Sequence, residues 1–411
     1  MNAGSLLLAL AGIAALAEIP SGQASAQTAW VAANLLQFDS ATGYSPNAGV
    51  VTDQFGTIYG TTTIGGTGPC SGGAGCGTVF ALSPSTATAS WVLTKLYDFQ
   101  GGQDGSAPSA PLTVAPTGAV YGYATGGTFG TVYRLLPPAA AGGPWTFQIL
   151  YVFSGGADGN LEAVHAPLML RGGAVIGIAS GGAQACGQIG CGSVFRLTPS
   201  ANGGRWSFAS LFSFQGGVSS GEPNWIVGDD AGGPLYVSTS LGHGAVVKLS
   251  PTSGSAAWSE RVLTRFQGGS DGRAPYNLIL APDGTLYGLA TSAAAGQVFE
   301  LSPAADPGQV WTRTTIASVS VRGYGPSSLA LGNTGSLIGA VEGDFDFFAG
   351  AAFELVPPST GTTWTFTELW NFNHGPDRNP LNITTGLGGS LYGVLEGGDS
   401  TNGSLFALYP R

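Results

Sequence analysis

The pentapeptide GGSDG, residues 268–272, has the G-x-S-x-G spacing of a hydrolase nucleophile elbow, which exposes a serine on a strand-to-helix turn. Two related loops bear on that reading. GGQDG at 101–105 and GGADG at 155–159 carry Gln103 and Ala157 where Ser270 stands, and no helical period follows any of the three. Their common feature is Asp-Gly: an aspartate that bonds to nearby backbone, then a glycine that accepts positive φ. Asp104, Asp158 and Asp271 are therefore expected to be turn residues.

The other groups with chemical potential are scattered. His165, His243 and His374 lack metal-ligand spacing and read as surface or turn residues. Glu162, Glu222, Asp229, Asp230 and Glu396 offer carboxylates, but no two have a spacing that argues for paired acid and base catalysis. Trp225 and Trp370 fall outside the main tryptophan register; each is either a core residue or an aromatic platform for a sugar, and core packing is preferred. In VEGDFDFFAGAAFEL, residues 341–355, Glu342, Asp344 and Asp346 alternate with apolar residues, so three hard oxygen ligands could face one way and hold calcium. The segment departs from the EF-hand pattern at Phe348, and a solvated acidic loop is the simpler reading. No other cofactor is expected.

Four cysteines complete the set. Cys70 and Cys76 lie in GTGPCSGGAGCGTVF, and Cys186 and Cys191 in GAQACGQIGCGSVF. Neither pair has the C-x2-C spacing of a zinc site, and the pairs occupy non-adjacent repeats. Two local disulfides, 70–76 and 186–191, are expected.

These residues must be positioned by a repeat. Trp30, Trp91, Trp145, Trp206, Trp258, Trp311 and Trp364 recur at intervals of 52 to 61 residues. Most open a stretch that alternates apolar and polar residues, as in WVLTKLYDF and WTFQILYVF, which is the strand period. Between the tryptophans stand a second phrase (GTIYG, GAVYG, GTLYG) and a third (GTVFAL, GTVYRL, GQVFEL), preceded by a shorter apolar run such as SAPLTVAP. Each unit thus holds four strands, and four-strand units of this length are propeller blades. The last unit lacks a Trp strand, while the first Trp strand arrives without its three predecessors. Residues 29–38 are expected to complete the last blade, which closes a seven-bladed all-β ring and removes its edges. With a P-x3-L run innermost and the Trp strand outermost, the Gly-Gly-x-Asp-Gly loops and the cysteine loops fall on one face.

The phrase LY-x-F-x-GG-x-DG-x-x-P followed by DG-x-LYG-x-T and G-x-VF-x-L resembles the GloVer tandem repeat; APDGTLYGLATSAAAGQVFELSP, residues 281–303, is the clearest copy. The resemblance covers nearly all of the chain after its leader. It departs in repeats four and six, with LYVSTS at 235–240 and SVSVRGYGP at 318–326. It implies an exported protein, in a group described with variable C-terminal anchors, and no established activity or catalytic residues; no anchor is recognisable here.

Composition agrees with export. Leu6–Leu16 is an apolar run too short to span a bilayer, followed by Ala24-Ser25-Ala26, so residues 1–26 read as a signal peptide and 27–411 as one propeller domain. No Lys or Arg precedes the apolar run. The formal charge of −10 disfavours nucleic acids and anionic lipids. No later apolar stretch has membrane length. The expectation is a monomeric, non-catalytic binding or scaffold module, extracellular, cell-surface or periplasmic, with a glycan or protein ligand at its loop face. The alternative is a secreted carbohydrate-active hydrolase or lyase with a site at the channel mouth.

Overall fold

The structure is a computed structural model. It describes residues 30–411 except 86–89, 128, 141, 163, 183–185, 187–189, 201–205, 217–220, 230–231, 253–256, 293–295, 305–309, 322–324, 344–348, 373–377 and 398–401; the expected signal peptide lies outside the described residues.

Seven four-stranded antiparallel sheets form a ring, a seven-bladed β-propeller. Blade 1 comprises Val51–Thr52, Ile58–Thr62, Thr78–Pro84 and Trp91–Asp98, from the channel outward, and blade 2 Thr113–Val114, Val120–Ala124, Thr131–Leu136 and Thr146–Val152. Blades 3 to 6 repeat this order, beginning at Met169, Pro223, Arg273 and Pro326. Blade 7 contributes Arg378–Thr385, Leu391–Glu396 and Ser404–Pro410, and takes its outer strand, Trp30–Gln37, from the other end of the chain. That strand runs antiparallel to Ser404–Pro410, from Trp30 opposite Pro410 to Gln37 opposite Ser404.

The repeated phrases now have physical causes. In L-Y-G the leucine enters the blade core. The tyrosine meets the tryptophan of the next blade: Tyr236 with Trp311 at 5.7 Å, Tyr287 with Trp364 at 5.8 Å, and Tyr392 with Trp91 at 5.9 Å between centroids. The glycine lies opposite the aromatic residue of the third strand, as in the pairs Gly60–Phe80, Gly122–Tyr133, Gly288–Phe299 and Gly339–Phe353. The ring of that residue lies across the glycine, where a Cβ on Gly288 would stand 2.6 Å from Phe299 Cζ. The same aromatic receives, edge-on, the phenylalanine that ends the previous blade: Phe38 on Phe80 at 5.2 Å, Phe153 on Phe195 at 5.3 Å, and Phe266 on Phe299 at 5.3 Å. One ring thus ties two strands and two blades together, and each such buried phenylalanine contributes roughly 1.5–3 kcal/mol.

Repeat four departs from the pattern at both partners together. Val237 replaces the glycine and Val247 the aromatic, and the two are directly paired across the strands. The apparent decay of LYVSTS is a compensated exchange of shape.

The innermost run also differs from expectation. The P-x3-L spacing holds from Pro46 to Val50 and Pro108 to Leu112, and blade 3 keeps the spacing with Val164 in place of Pro. In blades 4 to 7 only two residues separate the proline from the buried aliphatic: Pro223 to Ile226, Pro275 to Leu278, Pro326 to Leu329 and Pro380 to Ile383. Inner strands in blades 1 to 3 accordingly have two or three residues, against six to eight in blades 4 to 7. The ring is seven-fold in outline but not at its axis.

Candidate functional site

Alternating strand direction puts three features on one face: the start of each inner strand, the end of each second strand, and the loop leaving each outer strand. The Gly-Gly-x-Asp-Gly loops there are turns. Asp104 Oδ2 accepts from the Gln100 N–H at 2.7 Å and from the Tyr97 hydroxyl at 3.0 Å. Asp158 Oδ2 accepts from the Ser154 N–H at 2.9 Å and the Tyr151 hydroxyl at 3.0 Å. Asp271 accepts from the Gln267 N–H at 2.7 Å and pairs with Arg313 of the next outer strand, which replaces the missing tyrosine. Ser270 sits in a single 3-10 turn, Gly269–Asp271. Gly105 has φ +83°, and a Cβ there would stand 2.5 Å from Ala124 Cβ. Asp104→Asn, whose amide oxygen can accept both bonds, is expected to leave the thermal melt nearly unchanged, whereas Gly105→Val should lose roughly 1–3 kcal/mol. A larger loss from Asp104→Asn than from Gly105→Val would overturn this assignment.

The cysteines form the disulfides Cys70–Cys76 and Cys186–Cys191, each with Cα atoms 4.8 Å apart. Their sulfurs fill a slot against the first glycine of the adjacent loop, Gly101 for Cys70 and Gly216 for Cys186. In blade 2 Phe129 fills the same slot against Gly155, and in blade 4 His243 fills it against Gly268. His243 is thus an exposed turn residue whose ring lies against this loop. His374 and Asp230 lie outside the described residues, as do Asp344 and Asp346 of the expected calcium set; among the described residues no group of three His, Cys, Asp or Glu could hold a metal. Glu162 is exposed, and its N–H bonds to the Asn160 side chain. Asp229, at the opposite end of its strand, faces Arg171 at 3.6 Å. Trp370 packs into the core between blades 6 and 7.

The channel mouth collects the rest. A cavity of about 290 Å³ lies on the axis, lined by residues from all seven blades, among them Trp225, His165 and Glu342. Seven of the fifteen lining residues, one from each blade, occupy one repeat position, directly after the proline or, in blade 3, after Val164: Asn47, Ser109, His165, Asn224, Tyr276, Ser327 and Leu381. In blades 4 to 6 this residue donates to the proline carbonyl of the next blade: Asn224 to Pro275 at 3.2 Å, Tyr276 to Pro326 at 2.5 Å and Ser327 to Pro380 at 2.9 Å. Asn47, Ser109 and His165 make no such side-chain bond with the described residues.

A second position explains the glutamates. The residue at or directly after the end of each second strand is Thr63, Thr125, Ser180, Ser240, Thr291, Glu342 or Glu396. Four of the hydroxyls donate to carbonyls before or at the start of the inner strand of their own blade: Thr63 to Ser45, Thr125 to Ala107, Ser240 to Glu222 and Thr291 to Arg273, at 2.8–3.2 Å. Glu222 also accepts the Ser240 hydroxyl at its carboxylate. Blades 6 and 7 replace the hydroxyl with a carboxylate. Asn379 donates to Glu396 at 2.6 Å and accepts from the Gly343 N–H at 3.0 Å, which locks the two blades together at this point. Glu342 is open to the channel but crowded by protein atoms, and this desolvation, with Glu396 beside it, raises its pKa. Desolvation by the surrounding protein atoms likewise lowers the pKa of His165, although its side chain is open to the channel. Both shifts favour the uncharged form.

A group whose folded pKa is raised stabilises fully below its ordinary value and loses that stabilisation as pH rises through the shifted one. Glu342→Gln, which mimics the neutral acid, should therefore raise the melting temperature at pH 7, and the difference should close near pH 4. A pH-independent difference would remove Glu342 as its source.

The Gloeobacter/Verrucomicrobia repeat profile matches residues 163–406. The chain belongs to this repeat family. No curated protein matches it. Solved structures share the fold of this family member. A candidate 6-phosphogluconolactonase from Bacteroides uniformis is 15% identical with TM-score 0.53, covering 85% of this chain and 94% of that one. The extracellular domain of a hybrid two-component system from B. thetaiotaomicron is 12% identical with TM-score 0.52, covering 91% and 39%. An ancestral GH74 enzyme is 11% identical with TM-score 0.53, covering 89% and 47%. These descriptions differ from one another, and the likeness to this repeat-family chain is one of fold alone. No helix among its described residues is long and apolar enough to cross a membrane.

Proposed function

We propose that this chain is an exported, non-catalytic propeller that binds a ligand at the loop face, in the mouth of its central channel. The observation that carries the reading is the axial cavity lined by all seven blades, whose groups are mainly neutral amides, hydroxyls and one imidazole. Concave sites of this size with a few convergent polar groups are the usual places for small ligands. The two disulfides suit an oxidising compartment and support export.

A hydrolase or lyase reading is favoured by one feature, the adjacent carboxylates Glu342 and Glu396, of which Glu342 is held toward its protonated form, as a general acid would be. The test applies the secreted protein, expected to begin at Gln27, to glycan and peptide arrays and incubates it with polysaccharides. Binding without product formation is the expected result. Turnover that disappears in Glu342→Gln or Glu396→Gln would replace the binding reading with the catalytic one.

A further inference from the structure

The residue after the proline is apolar in blade 7, Leu381, and has two fates in the other six blades. On blades 4, 5 and 6 it is used up in binding the next blade. On blades 1, 2 and 3 the equivalents Asn47, Ser109 and His165 line the cavity and make no side-chain hydrogen bond to the described residues. The division coincides with the extra residue in the inner run of blades 1 to 3. There the fold is held by other groups: Thr61 donates to Pro108 at 3.1 Å and Thr113 to Leu168 at 2.5 Å. An arc of three neutral polar side chains, not needed by the inter-blade bonding, therefore faces the axis.

Trp225 follows this arc in blade 4. It lines the cavity while also packing against the cores on either side of its blade, so its indole is held in place. An arc of amide, hydroxyl and imidazole groups beside a fixed aromatic surface matches a ligand with many hydroxyls on its edge and C–H groups on its faces. Among the described residues no lysine or arginine lines the cavity, and the chain is acidic, which disfavours an anion there. The cavity's volume equals that of roughly ten waters, enough for one sugar ring and a few waters.

We propose that the channel mouth binds one uncharged sugar ring per chain, read along its edge by Asn47, Ser109 and His165 and stacked on Trp225. This rests on the loop-face binding reading and names its ligand class. The neutral states favoured at Glu342 and His165 agree with it.

The test uses the full exported protein, with glucose, galactose and N-acetylglucosamine as neutral probes and glucuronate and glucosamine as charged ones. Saturation-transfer NMR reports contact, and thermal melts report folding. At least one neutral sugar should bind, with signal lost or affinity at least tenfold weaker in both Ser109→Leu and His165→Leu. The melts should stay unchanged, because neither side chain bonds to a described residue. Glucuronate or glucosamine binding as tightly as the neutral sugars would overturn the assignment of charge. Neutral binding that survives both substitutions would overturn the site. Absence of sugar binding would overturn the inference; array-detected peptides lost in the same variants would then leave the loop-face reading standing, and silent arrays would defeat both.

Discussion

Gly288→Val is expected to destabilise the protein by about 3 kcal/mol, and Phe299→Val by a similar amount, yet the double substitution should cost well under their sum. The single glycine change drives a β-branched side chain into a space where a Cβ alone would come within 2.6 Å of Phe299 Cζ and 2.8 Å of Leu278 Cδ2. Overpacking of this kind costs roughly 1–3 kcal/mol or more. The phenylalanine change leaves a void between two strands and removes the edge-on partner of Phe266; truncation of a buried aromatic ring to alanine costs roughly 3–5 kcal/mol, and to valine somewhat less. Together the substitutions recreate the Val237–Val247 pair that blade 4 already carries. Directly contacting residues couple by roughly 0.5–3 kcal/mol, and here the sign favours the double variant. Denaturant melts of the four proteins measure the cycle. Additive losses would show that the glycine and the aromatic are not one device.

Removing Trp30–Gln37 is expected to have the largest effect of any short deletion. The strand forms an antiparallel pair from Trp30 opposite Pro410 to Gln37 opposite Ser404, and Trp30 and Ala32 pack on the core between blades 6 and 7. Without it the backbone of Ser404–Pro410 is an open edge, the kind of surface that recruits another chain. The truncated protein should melt far lower or assemble into higher oligomers in light scattering. A truncated protein that remains monomeric with an unchanged melt would mean that the ring does not depend on this closure.

The architecture was legible because each blade spells its own packing. Trp91, Tyr59, Gly60 and Phe80 recur as types because the same contacts are made in most blades. The missing outer strand of blade 7 could likewise be read from the order of phrases. The channel mouth was not legible. Asn47, Ser109 and His165 are different residue types at one position, and no local pattern separates them from surface polar residues. Their common place appears only when the inner strands are ranged around an axis. Trp225 was noticed as out of register, but its neighbours come from blades distant in sequence. Glu342 was noticed as a calcium candidate; that its position belongs to a series that starts with Thr63 and ends with Glu396 was not. His243 stands where other blades place a disulfide or Phe129, an equivalence of shape that composition cannot convey. The Val237–Val247 exchange looked like decay because strand partners ten residues apart were read separately.

The pairing of Trp30 with Pro410 has a mechanical side. The two residues lie at the same end of one antiparallel pair, so tension applied between them acts across the strand direction. It loads the bond pairs one after another from that end, as a zipper is opened, rather than shearing them all at once. A propeller tethered to one body at Trp30 and to another at Pro410 would yield first at blade 7, at a low force, while the inner strands that line the channel stayed in place. The closure that seals the ring against chemical unfolding is also its softest point under load.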